Sequence, residues 1–130
     1  MNKQALIAGT IFAGLAVIFG AFGAHTLKET FHMPADQLGI FDTGVRYQFY
    51  HSLALLITGM LFASFPNKQV KLSAIFFIIG IVLFSGSLYA MCMLRINGVG
   101  MGPVGIITPI GGLFFIAGWA SLLTGILKQK

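Results

Sequence analysis

The run ALIAGTIFAGLAVIFGAFGA, from Ala5 to Ala24, decides the fold. It carries no charge, and Thr10 is its one polar side chain. A helix needs about 20 mainly apolar residues to cross the hydrocarbon core of a bilayer, and this run supplies them. The rest of the chain agrees. Of 130 residues, 57% are hydrophobic and only 8% are charged, where a water-soluble domain carries about 25% charged residues. Eight Lys and Arg with three Asp and Glu are too few to cover a water-exposed surface. An ordinary soluble enzyme is therefore excluded, and so is disorder, which requires low hydrophobicity. The net charge of +5 does not point to nucleic acid. The cations are spread one or two at a time between apolar runs, with no basic cluster interleaved with aromatics. Cys92 is the single cysteine, so no intrachain disulfide exists.

Working outward, three more stretches have the length of a span: 46–65, 72–94 and 105–127. With 5–24 they predict one all-α domain over 1–130, an integral membrane four-helix bundle with short loops. Long, uniformly apolar runs do not suit a β-barrel, whose strands alternate. The first span also reads as a signal peptide, with Lys3 before it and Ala21-Phe22-Gly23 as a weak cleavage site. Its apolar run exceeds the roughly 7–15 residues of such a segment, so a retained helix is expected. Pro66-Asn67-Lys68 is a tight turn. The link from His25 to Val45 holds all three acids, Glu29, Asp36 and Asp42. Within it, Pro34 can open a short interfacial helix over Ala35–Asp42 that leads into the second span. The Gly-rich link from Arg95 to Val104 should be irregular. Pro109, followed by Gly111 and Gly112, predicts a kink or a late start in the fourth helix. Lys3, Lys68, Lys71, Lys128 and Lys130 fall on one side of this arrangement, and Lys28, Arg46 and Arg95 on the other. The excess of five over three predicts a multi-pass membrane protein with both termini cytoplasmic.

Burial of apolar side chains does not drive helices together in lipid; close approach over small residues does. The first span offers Gly9, Ala13, Ala16, Gly20 and Ala24, and the second Gly59 and Ala63. The third offers Ser73, Gly80 and Ser87. The fourth offers Ala117, Ser121 and Gly125, with Gly111 and Gly118 as further contact points. The partners expected are the bilayer itself and a second copy of the chain through such faces. Met91-Cys92-Met93 is expected to pack against lipid.

Polar side chains at membrane depth are costly and often mark a site. Asp42 and Arg46 stand four apart and can pair on one helix face. Tyr47, His51 and Thr58 share another face of the second span. His25, Ser85, Ser87, Tyr89, Arg95 and Thr108 lie near the same, outer ends of their spans. The topology thus predicts a polar cluster toward the outer leaflet. His51 should be neutral and bonded to Tyr47, His25 or Ser87. Trp119 falls deeper, where it should pack. Three readings of the cluster stand side by side. It is a hydrogen-bond network tying helix ends together, or a site for a lipid headgroup or small polar ligand with Arg46 and Arg95 as anion partners. The third is a redox or metal centre on His25 and His51. No HExxH or CxxC accompanies the histidines and no GxSxG elbow is present, so no metal, no cofactor and no catalysis are expected.

Several of these segments resemble one family. Gly20-Ala21-Phe22-Gly23-Ala24-His25, Tyr47-Gln48-Phe49-Tyr50-His51, Ser85-Gly86-Ser87-Leu88-Tyr89, Thr108-Pro109-Ile110-Gly111-Gly112 and Gly118-Trp119 occur in the same order. They are similar to domain-of-unknown-function family four-two-three, small bacterial membrane proteins whose animal relatives are called transmembrane protein 256. The resemblance implies a four-helix inner-membrane protein and supplies no substrate, cofactor or catalytic residue. The expectation is a non-enzymatic membrane protein that organises its surroundings or binds lipid or a small ligand. The alternatives are a small transporter or channel component, or a membrane redox or haem subunit.

Overall fold

The computed structural model describes residues 1–100 and 102–128. It is built from four helical rods, with no strand among the described residues. Rod α1 runs over Lys3–Thr30, α-helical for Lys3–Phe22 and π-helical for Gly23–Thr30. Asn2 starts it: its side chain accepts from the backbone N–H of Ala5 at 3.2 Å. Rod α2 is a single 27-residue helix, Ala35–Leu61. Rod α3 runs over Lys68–Ile96, interrupted by a π-helical stretch at Ile81–Ser85. Asn67 caps it by accepting from Val70 N–H at 3.1 Å. Rod α4 is Val104–Leu127.

These bounds correct several expectations. The link from His25 to Val45 shrinks to 31–34, because α1 keeps winding with wider i→i+5 turns past Ala24. His32 takes the left-handed conformation there, at φ 50°. The interfacial helix at Ala35–Asp42 is not separate but forms the opening turns of α2. That helix begins well before residue 46 and ends before 65. Pro109 lies inside α4, which starts ahead of it at Val104, so no late start occurs. Lys130, one of the five cations in the orientation argument, lies outside the described residues.

Rods α1, α3 and α4 are long and apolar enough to cross a membrane. Rod α2 falls short on composition because it carries Asp36, Asp42, Arg46, Gln48 and His51. Its placement resolves this. It lies between α1 and α3, and Gln48, His51, Ser52 and Thr58 are all buried against neighbours. Rod α4 packs along α3 and touches α2 through His51. The central core joins Ala5, Ala54, Leu55, Ala74, Phe77, Ile81 and Phe115. A second core near the 31–34 turn joins Leu27, Met33, Phe41 and Cys92. Met91 and Cys92 therefore face the interior and not lipid, as the π turn upstream shifts the buried face of α3.

The α3/α4 seam is a matched pair of heptads. Val70, Phe77 and Phe84 on α3 oppose Gly125, Gly118 and Gly111 on the antiparallel α4. A Cβ added at Gly118 would lie 2.6 Å from the Phe77 ring, and one at Gly125 would lie 2.6 Å from Val70 Cγ2. At Gly111 it would strike the Phe84 backbone, and at Gly80 the ring of Phe115. Ala117 and Ser121 lie beside this seam, half-buried. On the α1/α2 side, Gly9 is the tight point, with the Ser52 carbonyl 2.9 Å from a built Cβ, and Gly59 sits 2.8 Å from Leu6 in the same sense. Ala16 is buried, Ala13 and Gly20 are half-buried and Ala24 is exposed. The small stripe thus leaves the interface where the π turns begin, and Gly23 and Leu27 take over.

The seam yields a paired test. Gly111→Ala and Gly112→Ala add the same methyl to neighbouring positions of one helix, and both gain about 1 kcal/mol of helix propensity. At Gly112 the nearest atom is 3.8 Å away, so thermal unfolding in detergent should show it neutral or stabilised. Gly111→Ala should lose about 1–3 kcal/mol through overpacking.

Candidate functional site

Rod α2 places its polar side chains on two adjacent faces. Gly44, Gln48 and Ser52 follow at steps of four and look toward α1 and α3. Gln48 is the hub. Its Nε2 donates to the Phe12 carbonyl of α1 at 2.8 Å, and its Oε1 accepts from the Tyr89 hydroxyl of α3 at 2.7 Å. Beside it, Ser52 donates to the Gln48 carbonyl and the Ser85 hydroxyl donates to the Gly44 carbonyl at 2.6 Å. Gly44 has no side chain, so the Tyr89 ring lies directly against it. One carboxamide thereby ties three rods together.

His51 occupies the other face. A backbone carbonyl only accepts and an indole N–H only donates. Nδ1, 2.8 Å from the Tyr47 carbonyl, must therefore carry the proton, and Nε2 accepts from Trp119 Nε1 at 3.1 Å. Both ring nitrogens are engaged, in the neutral Nδ1–H form. The imidazole also stacks on Phe115, centroids 3.6 Å apart and planes 9° from parallel. Phe77 and Tyr47 flank it. A third link joins the remaining rods: Ser87 and Thr108 share a hydrogen bond of 2.5 Å between α3 and α4.

The residues expected to form one cluster thus fall into separate groups. Ser85 and Tyr89 meet around Gln48, Ser87 meets Thr108, and Tyr47 stays with His51. Asp42 and Arg46 form an exposed ion pair at 2.7 Å. Arg95 faces Asp36, 3.7 Å away. His25 is exposed on the π-helical turns and reaches neither His51 nor Ser87, so the two histidines do not form a ligand pair. Among the described residues no three His, Cys, Asp or Glu side chains converge as metal ligands. His51 stands ten residues before Leu61 at the end of α2, about 15 Å along the axis at 1.5 Å per residue. That is half the roughly 30 Å of a hydrocarbon core, so the His51 group sits near mid-depth of the bundle and not at one end.

Gln48 and the His51–Trp119 bond are the parts that the sequence reading passed over. Gln48 stood inside the Tyr47–His51 segment, and the Gly44-Gln48-Ser52 ladder was its signal. Trp119 bonds across the bundle as well as packing. Thr58 Oγ1 is buried with no hydrogen-bond partner.

The Gln48 hub predicts a coupling. Gln48→Leu leaves the Tyr89 hydroxyl unsatisfied and should cost about 1–2 kcal/mol. Adding Tyr89→Phe removes the stranded group and should recover part of that loss. A double variant whose unfolding loss equals the sum of the two single losses would mean that the two side chains are not partners.

The family described as "Protein of unknown function (DUF423)" matches residues 19–112, a range that takes in Gln48, His51, Tyr89 and Thr108 and stops short of Trp119. The chain is 43% identical over 130 residues to a UPF0382 membrane protein of Haemophilus influenzae, covering 100% of this chain and 98% of that one. It is 38% identical over 126 residues to the UPF0382 inner membrane protein YgdD of Escherichia coli, covering 97% and 88%. A UPF0382 membrane protein of Staphylococcus saprophyticus is 38% identical over 126 residues, covering 97% and 98%. No solved structure matches. With its apolar rods and these relatives, the chain is a small integral membrane protein and belongs to the DUF423 family.

Proposed function

We propose that this protein is a non-catalytic scaffold of the bacterial cytoplasmic membrane, a four-span bundle that works through its lateral faces on lipids or neighbouring proteins. The observation that carries this reading is where the polar groups point. Gln48, Tyr89, His51, Trp119, Ser87 and Thr108 bond to one another or to backbone within the bundle. What the rods turn outward is apolar: Ile7, Ile11, Val17 and Ile18 on α1, Ile106, Leu113, Ile116 and Leu123 on α4. Internal pairing of this kind fixes helix positions, and it supports a rigid body more than a path for solutes. A transporter reading rests on Gln48 and His51, since mid-depth polar residues are where such proteins handle substrate.

The orientation proposed keeps both termini cytoplasmic. Asn2 N–H donates to the Gly59 carbonyl and Asn67 Nδ2 to the Gly125 carbonyl, which gathers Lys3, Lys68, Lys71 and Lys128 at one end of the bundle. The positive end is the cytoplasmic one.

Two measurements test the proposal. In a Cys92→Ala background, cysteines at Lys3 and Lys128 should resist a membrane-impermeant thiol reagent in intact cells, while one at Asn97 should react. The reverse pattern would invert the topology. Liposomes holding the purified protein should leak ions and protons no faster than empty ones. Conduction that disappears in His51→Leu would replace the scaffold reading with the transporter one.

A further inference from the structure

The seam between α1 and α2 opens into a furrow at the end away from the chain termini. Its upper part is a cavity of about 140 Å³ bordered by Gly20, Gly23, Ala24 and Val45, with Lys28 and Asp42 at its rim. Its lower part is a groove of about 270 Å³ bordered by Ala16, Val17, Val45, Arg46 and Phe49. Val45 borders both, so the two hollows adjoin along the helix pair. The hollow exists because the α1 face beside it is made of Ala16, Gly20, Gly23 and Ala24. At Gly20 the nearest atom to a built Cβ is Val45 Cγ1, at 3.5 Å.

The charges at the rim are unequal. Asp42 Oδ2 is held by Arg46 Nε at 2.7 Å. Lys28 has no ion-pair partner among the described residues. Among the charged residues that line the two hollows, Lys28 and Arg46 against Asp42 leave one excess positive charge. Asp42 stands 19 residues before Leu61, about 28 Å along α2, which is close to the thickness of the hydrocarbon core. The rim therefore lies at headgroup level when the opposite end of the bundle sits at the other interface.

We infer that this furrow binds one anionic glycerophospholipid, with its phosphodiester between Lys28 and Arg46 and an acyl chain lying along Gly20, Val45 and Ala16. The chemistry selects the headgroup. A phosphodiester bears one negative charge and compensates the single excess cation. An ethanolamine headgroup adds its own ammonium and restores the excess. Arg46 presents a planar fork that suits phosphate oxygens, and Lys28 contributes a point charge on a flexible stem that reaches the interface. This inference deepens the scaffold reading by naming the lipid on one lateral face.

Native mass spectrometry of protein from nanodiscs of equal phosphatidylglycerol and phosphatidylethanolamine tests it. The wild type should retain one phosphatidylglycerol in preference to phosphatidylethanolamine. Lys28→Gln should cut that retention roughly fivefold, the effect of one cation at an anionic surface. Asp42→Asn should raise it, and Lys71→Gln, at the opposite end, should leave it unchanged. Gly20→Phe should fill the furrow and abolish retention, while thermal unfolding reports whether the bundle survives. Equal retention of the two lipids, or phosphatidylglycerol retention indifferent to Lys28→Gln, overturns the site. That outcome with non-leaking liposomes removes the lipid and leaves the scaffold; leaking liposomes with selective retention do the reverse.

Discussion

A primary carboxamide in hydrocarbon has two N–H groups and a carbonyl to satisfy and no water to satisfy them. Gln48 answers with one N–H on the Phe12 carbonyl and its own carbonyl oxygen on the Tyr89 hydroxyl. The rest of the bundle is arranged around this solution. Rod α1 must pass α2 close enough for a backbone carbonyl to be reached, which Gly9 permits against the Ser52 carbonyl. Rod α3 must present Tyr89 over Gly44, where any side chain would block the ring. The central position of the most polar helix follows. Rod α2 can sit in a membrane only with its polar faces covered; α1 and α3 cover the Gln48 face, and α3 and α4 cover the His51 face.

Rod α4 is held by a different means. Its Gly111, Gly118 and Gly125 form sockets for Phe84, Phe77 and Val70, and the contact is one of shape more than of hydrogen bonds. Phe115 returns the favour into Gly80 and lies flat on His51. The histidine is the point where the two schemes touch. Its ring is packed as an aromatic by Phe115 and Phe77, while its nitrogens bond α2's own backbone and Trp119 of α4. Its tautomer is consequently set by groups that cannot exchange roles.

Much of this was legible in the residues. Apolar run lengths gave the helices, and the steps of Gly9, Ala16, Gly59, Gly80, Gly111 and Gly118 marked surfaces that do meet. The Asp42–Arg46 pair followed from its spacing. Two things were not legible. Period counting assumes 3.6 residues per turn, and the π stretches at Gly23–Thr30 and Ile81–Ser85 change the phase without a sequence mark. That is why His25 and Ala24 turn outward and Cys92 turns in. The depth of His51 was also hidden, because a span drawn from Arg46 places it near one surface. Only the unbroken helix from Ala35 shows how far it lies from both ends.

The π stretch at Ile81–Ser85 has a consequence for how the bundle tolerates insertion and deletion. It divides α3 into two half-helices with different obligations. The half before it keeps Val70 and Phe77 in the glycine sockets of α4; the half after it delivers Ser87 to Thr108 and Tyr89 to Gln48. A single residue gained or lost there rotates one half against the other by about 100°. Trimming the wide turn to an ordinary α-turn would leave Val70 and Phe77 in their sockets, pull Phe84 away from Gly111 and swing Tyr89 off the carboxamide. The extra residue thus acts as a phase adjuster, letting one continuous helix keep two sets of contacts that a regular period cannot reconcile.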